Sequence, residues 1–285
     1  MAKDNIGGQA LVDGVLFRNK NWVSIARRKD GEISLEVYPT KQLAGWRKSF
    51  SKIPVFRGIF AFLLIFTSFI QLFWHQKREK RDRKFWLRKA KQIFFILIVL
   101  LVLPFILDFF LWPLGYYSQD LLVGPGVLPI PLQMAEKLVT YLLVLLSFSL
   151  LANIFYPTLF AYHGAEHKSI VAYENNRPLT VEEAKKSTRL HPRCGTSFFV
   201  IIALMDSLVL TPFLAYYGLF YDLWWQLLLV GFSYEVSLYV NNNCASLLSQ
   251  VLRPLGLFLQ RMTTREPNIH QLEVALAALQ ALPKN

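Results

Sequence analysis

The sequence predicts an all-α polytopic membrane protein with about four transmembrane helices, one re-entrant or interfacial helix, and a small cytosolic β-hairpin unit at the N-terminus. Three observations carry this reading. Only 18% of the 285 residues are charged while 54% are hydrophobic, well under the charge of about 25% in an average soluble domain. The few charges cluster, which leaves four long apolar windows: 93–114 with Asp108 alone, 138–160 with none, 196–220 with Asp206 alone, and 223–240 with Glu235 alone. About 20 apolar residues cross the roughly 30 Å hydrocarbon layer, so each window is long enough or nearly so. The basic residues set the orientation. Lys and Arg number ten in 1–52, nine in 75–92, six in 161–195 and four in 241–285, whereas 115–136 and 215–222 hold none. Basic loops stay cytosolic, so the two bare loops face outward and both termini lie in the cytosol. Length and composition also exclude a disordered chain, a small disulfide scaffold and a large multidomain enzyme.

The N-terminal segment, 1–52, reads as a small cytosolic unit. Trp22–Ala26 and Ile33–Tyr38 alternate apolar and polar residues on either side of Asp30-Gly31, the strongest short signal for a hairpin. Before them lies the glycine-rich stretch Gly7–Val15, whose glycines point either to a close backbone approach or to a flexible lead-in. No apolar segment begins before residue 53, so no cleaved secretory signal is expected. Residues 41–52 are basic with Trp46 and Phe50 interleaved and suit a membrane surface.

The membrane domain spans 53–240. Its first apolar stretch, 53–74, includes Arg57 and has basic flanks on both sides, so it reads as re-entrant or interfacial, with Arg57 snorkelling to the headgroups. The basic run that follows, 77–91, lies between two apolar segments, which makes anionic lipid headgroups its expected partner rather than nucleic acid. Within this domain 161–195 is a polar cytosolic insertion. Its start continues the helix of 138–160, it turns at Asn175–Pro178, and a short helix opens with the capping spacing Thr180-x-x-Glu183. The tail 241–285 is cytosolic and amphipathic, with Ile269, Leu272, Leu276 and Leu279 in a helical stripe. Cys194 and Cys244 both fall on the cytosolic side, where a structural disulfide is not expected.

One constellation could carry chemistry. His163-Gly-Ala-Glu166-His167 places two imidazoles at i and i+4 on one helix face, close enough to bind one metal ion. Glu166 flanks that face and could activate water, as in the inverted form of the H-E-x-x-H motif. A hydrogen-bonded histidine pair with Glu166 as counter-charge is the alternative. A catalytic zinc takes three protein ligands and a structural one four. Candidates to complete the set are Glu235, His191, Glu174 and Cys194. Glu174 is limited by its distance of about 10 Å along the helix from His167. Glu235 stands out because a carboxylate inside an apolar segment is costly and marks function by default. Gln9, Asp13, Asn241 and Asn242 are further pocket candidates.

Four blocks in order then match a known pattern: Gly7–Ala10 with Asp13-Gly14-Val15, Tyr162–Lys168, His191–Ser197 and Leu259–Pro267. Together they resemble the bacterial YqhQ family, a membrane-protein group of unknown function commonly labelled predicted metal-dependent enzymes. The family often has glutamate where this chain has Asp13, which keeps the carboxylate. The resemblance implies a multi-pass protein of a bacterial inner membrane that binds metal at His163 and His167. The expected function is a metal-dependent hydrolase working at the cytosolic membrane interface, with zinc as cofactor and Glu166 as base. The rivals are a transporter or lipid-handling protein with Glu235, Asp206 and Asp108 along its path, and a non-catalytic assembly factor.

Overall fold

The computed structural model describes residues 6–40, 52–63, 129–217 and 223–283. The expectations for 41–51, for 53–74 beyond residue 63, for the basic run 77–91, for the window 93–114 with Asp108 and for the loop from 115 to 128 lie outside these residues. The described chain is mostly helical, with an N-terminal four-stranded antiparallel sheet of β1 (Gly7–Ala10), β2 (Gly14–Arg18), β3 (Trp22–Lys29) and β4 (Glu32–Pro39) in that spatial order. The helices are α1 (Ile130–Phe155), α2 (Pro157–Glu174), α3 (Val181–Lys186), α4 (Gly195–Met205), α5 (Thr211–Tyr217), α6 (Leu223–Asn242), α7 (Leu247–Thr263) and α8 (Ile269–Ala281). A π-helical turn, Asp206–Leu210, joins α4 to α5.

The chain divides into two compact units. The first gathers Met1–Lys48, Ser149–Val200 and Val240–Asn285, so the N-terminal segment, the polar insertion and the tail come together in one body. The expected hairpin is β3–β4, turning on Asp30 and Gly31 at positive φ of 51° and 90°, as a two-residue loop matched to strand twist requires. The sheet is larger than the sequence indicated, because the glycine-rich stretch forms β1 and β2, with Gln9 opposite Leu16 and Leu16 opposite Ile25. Helix α8 lies against this sheet. It buries Leu272, Ala275, Leu276 and Leu279 with Val15 and Phe17 of β2 and Tyr162, Ala165 and Ile170 of α2. Ile269, expected in the same stripe, is exposed. Asn268 and Gln271 form a reciprocal capping box at the start of α8, and Thr180 caps α3 through the Glu183 amide.

The apolar window 138–160 is not one helix. α1 starts earlier, at Ile130, and stops at Phe155, and α2 starts at Pro157. Proline disfavours helical backbone at the residue before it, and Tyr156 sits there at φ −134°. α1 therefore takes in the last residues of the stretch 115–136. Two helical stretches among the described residues are long and apolar enough to cross a membrane, Ile130–Phe155 and the continuous run Gly195–Tyr217. α6 falls short of that hydropathy, with Gln226, Ser233, Glu235 and Ser237 along its length.

The second unit holds Ser49–Phe148 and Ile201–Tyr239. Here Arg57 is paired with Glu235. Its Nε donates to Glu235 Oε1 at 2.7 Å, its Nη2 meets Oε2, and the Val55 amide also donates to Oε1 at 3.1 Å. The pair ties the 52–63 segment to α6 through three hydrogen bonds to one carboxylate. Asp206 is fully buried and accepts the Tyr141 hydroxyl at 2.8 Å.

Candidate functional site

Helix α2 positions the site, and one face of it supplies three of its side chains. Gly164 and Ala165 between the functional residues are buried, Ala165 completely. At Gly164 a Cβ would lie 2.0 Å from the Arg265 carbonyl oxygen, so only glycine lets the 263–265 segment run this close to the helix.

His163 and His167 stand edge to face, with ring centroids 4.4 Å apart. Each is fixed by a backbone carbonyl. His163 Nδ1 donates to Thr263 O at 2.8 Å, and His167 Nδ1 donates to Arg189 O at 2.6 Å. With the proton of the neutral ring committed to Nδ1, each Nε2 presents a lone pair. Metal-binding histidines are oriented in this way.

The third donor is Cys194. Its Sγ lies 3.3 Å from His163 Nε2, and one ligand atom each from His163, His167 and Cys194 fall within 4.8 Å of one another. Tetrahedral zinc sets its ligand atoms about 3.3 Å (N to N) and 3.5 Å (N to S) apart, from bond lengths of about 2.0 and 2.3 Å. Two imidazoles and one sulfur, with His163 Nε2 and Cys194 Sγ already near that spacing, fit a borderline-soft divalent metal. The cysteine is held by a turn, with its amide donating to His191 O at 3.2 Å.

Glu166 is 5% exposed and its Oε2 lies 3.9 Å from both His163 Nε2 and His167 Nε2. It faces the donor set without replacing a member of it. Burial pushes its carboxyl above the usual carboxylate range, against the pull of His163 and His191. Burial pushes His167 down, which keeps the ring neutral and able to ligate. The space for Glu166 comes from Gly8 on β1, where a Cβ would lie 2.1 Å from Glu166 Oε1. The close approach read from the N-terminal glycines is this contact.

The other candidates fall elsewhere. His191 is buried, with its ring 5.8 Å from that of His167. It is turned to Glu174, whose Oε2 lies 3.1 Å from His191 Nε2, while Arg193 pairs with Glu174 Oε1. Burial would raise the Glu174 carboxyl, but the His191 hydrogen bond and Arg193 outweigh it and hold the group below its ordinary value. Neither His191 nor Glu235, the two residues expected to complete the ligand set, belongs to the three-residue cluster, and Glu235 is occupied by Arg57. Asp13 pairs with Arg27 at 3.6 Å on the surface. Gln9 is half-buried in β1, and Asn241 and Asn242 close the end of α6.

Gln260 was missed by the sequence reading. It is fully buried and clamps His191, accepting from its amide and donating to its carbonyl, both at 2.8 Å. It also donates to Ser197 Oγ at 3.0 Å. Its only sequence signal was its place in the Leu259–Pro267 block.

A family model described as "Protein of unknown function (DUF1385)" matches residues 53–285. The chain is 31% identical to the uncharacterized protein YqhQ of Bacillus subtilis (strain 168), over 97% of this chain and 91% of that one. No solved structure matches the chain.

Proposed function

The chain belongs to the DUF1385 family, whose description names no activity, and from its own residues we propose that it is a metal-dependent membrane enzyme, a hydrolase working at the cytosolic membrane interface with zinc as its metal. The observation that carries this reading is the arrangement of His163, His167 and Cys194 around a common point with Glu166 Oε2 3.9 Å from both imidazole Nε2 atoms. Three protein donors leave a position for an exogenous ligand, as catalytic zinc sites do. A divalent metal there would supply Lewis acidity toward a carbonyl or phosphoryl oxygen.

The protein groups have separable roles. His163 and His167 bind through Nε2, fixed by the Thr263 and Arg189 carbonyls. Cys194 binds through sulfur. Glu166 takes the proton of the attacking water at Oε2 and returns it to the leaving group, and its raised proton affinity suits a group that must do both. His191, Glu174 and Gln260 hold the turn that carries Cys194.

The membrane frame belongs to the same proposal. The chain crosses four times, along 93–114, α1, the α4–α5 run and α6, with both termini in the cytosol and 53–74 re-entrant. The Lys and Arg distribution and the two apolar helices support it. The basic run 77–91 then lies on anionic headgroups.

Metal analysis of gently purified protein tests the enzyme reading. It expects about one transition metal per chain, depletion in His163→Ala, His167→Ala and Cys194→Ser, and a metal-loaded Glu166→Gln that fails to complement a deletion strain. Wild-type protein free of transition metal would refute it.

A further inference from the structure

Helix α7 is turned inside out for a helix on the surface of a water-soluble domain. Leu247, Leu248, Val251, Leu255 and Phe258 recur at helical spacing and are all exposed, from 42% to 78%. Its buried residues are Ser249, Gly256, Leu259, Gln260 and Thr263. A surface helix in water does the reverse and turns its apolar stripe to the core. Five large apolar side chains in one exposed stripe mark a face made for an apolar neighbour.

Two observations identify that neighbour as lipid. The inner face and C-terminal end of α7 touch the ends of both helices that are apolar enough to cross a membrane. In the last two turns of α1, Ser149 Oγ and Asn153 Nδ2 donate to the Met262 carbonyl at 3.0 and 2.9 Å. In the first turn of α4, Ser197 packs so closely on Gly256 that a Cβ there would lie 2.5 Å from Ser197 Oγ. α7 therefore lies at the level where these helices leave the hydrocarbon. The same ends are themselves apolar and exposed, at Leu150 and Ile154 of α1 and Phe199 of α4. Arg261 sits off the apolar stripe and exposed, on the polar flank that an interfacial helix offers to headgroups.

We propose that α7 is an interfacial helix, lying in the plane of the cytosolic leaflet with Leu247, Leu248, Val251, Leu255 and Phe258 sunk roughly 5–10 Å into the headgroup–acyl boundary. Gln260 of the same helix clamps His191, and its last residue, Thr263, anchors His163. The candidate centre is thereby fastened to the inner side of a lipid-seated helix. The inference holds whether or not that centre binds a metal.

Photo-crosslinking tests it. Full-length protein carrying benzoylphenylalanine at Val251, Leu255 or Phe258 is reconstituted into phosphatidylcholine–phosphatidylglycerol vesicles, irradiated and analysed by mass spectrometry. The expected result is lipid adducts at all three positions and little or none at Gln250, an exposed residue of the polar flank. Cross-links to a second copy, or to another segment of this chain, overturn the proposal. So do absence of any adduct at the three stripe positions and equal lipid labelling at Gln250. The three positions are exposed, so the variants should fold as wild type does, and metal content measured on the same samples reports separately on the enzyme reading.

Discussion

Replacing Gly8 with alanine tests the position of Glu166 without touching Glu166. Gly8 is exposed on β1 and outside the left-handed region, so the methyl group brings no backbone strain. In a compatible conformation Gly→Ala even stabilises by about 0.4–1 kcal/mol, through the unfolded chain. The conflict is confined to one side chain. The new Cβ would lie 2.1 Å from Glu166 Oε1, 2.6 Å from Cδ and 2.7 Å from Cγ. Favourable separation between carbon atoms starts at about 3.5 Å, so the Glu166 side chain must retreat by roughly 1 Å. A misplacement of about 1 Å at a reacting group costs on the order of 100-fold in rate. Three measurements on Gly8→Ala are needed: metal content, melting temperature and rescue of a deletion strain. The expected variant keeps its metal, melts at or slightly above the wild-type temperature, and fails to rescue. Full rescue with unchanged metal and melting would mean that the Glu166 carboxylate does not act from this position, and the catalytic argument would fall with it.

Gln260→Leu should lower the melting temperature by several degrees, because it leaves the buried amide of His191 without its partner, at roughly 1–3 kcal/mol, and leaves the His191 carbonyl with the Cys194 amide alone. The depressed Glu174 carboxyl gives a pH signature of definite sign. A lowered folded pKa contributes stability that is present above the unfolded value of about 4.3 and is lost as pH falls through the folded one. The melting-temperature difference between wild type and Glu174→Gln should therefore shrink on acidification below that value. For topology, single cysteines at Ser118 and Tyr217 should react with an impermeant thiol reagent in intact cells while one at Arg177 should not, and labelling at Arg177 would refute four crossings.

What the sequence disclosed was local. Asp30-Gly31 specified the β3–β4 hairpin because a tight turn is encoded by its own residues. His163, Glu166 and His167 could be placed on one face because helix periodicity alone does that. β1 escaped, since Gly7–Ala10 has little strand propensity and is held by pairing and by the approach of Glu166, while β2 went unread although Val15-Leu16-Phe17 carried the signal. The break at Tyr156-Pro157 was hidden by uniform apolarity, although the proline carried the signal. Long-range partners were out of reach. The oddity of Glu235 inside an apolar stretch was legible, but its pairing with Arg57, 178 residues away, was not. Cys194 became the third donor only because a turn clamped by Gln260 folds back over α2. No spacing rule connects residues 163, 194 and 260.

Both histidine anchors are main-chain carbonyls, which separates side-chain identity from backbone position at the site. Thr263 contributes to His163 only through its carbonyl, and its hydroxyl makes just a long 3.4 Å contact to the Leu259 carbonyl. Thr263→Ala should therefore leave metal content unchanged. Gly164→Ala should not. Its Cβ would meet the Arg265 carbonyl oxygen at 2.0 Å, and backbone on both sides cannot give way as a flexible side chain would. The 263–265 segment must move off by more than 1 Å, since ordinary carbon contacts lie at about 3.5 Å. That shift would carry the Thr263 carbonyl out of hydrogen-bond range of His163 Nδ1, where it now sits at 2.8 Å, and release the ring's tautomer and aim. Losing such an outer partner typically weakens metal affinity by about 10- to 100-fold. Titration with a chromophoric chelator reads this directly, and a mass-spectrometric check for folded, membrane-inserted protein separates it from collapse. Equal metal affinity in Gly164→Ala and Thr263→Ala would show that the carbonyl anchor does not orient His163.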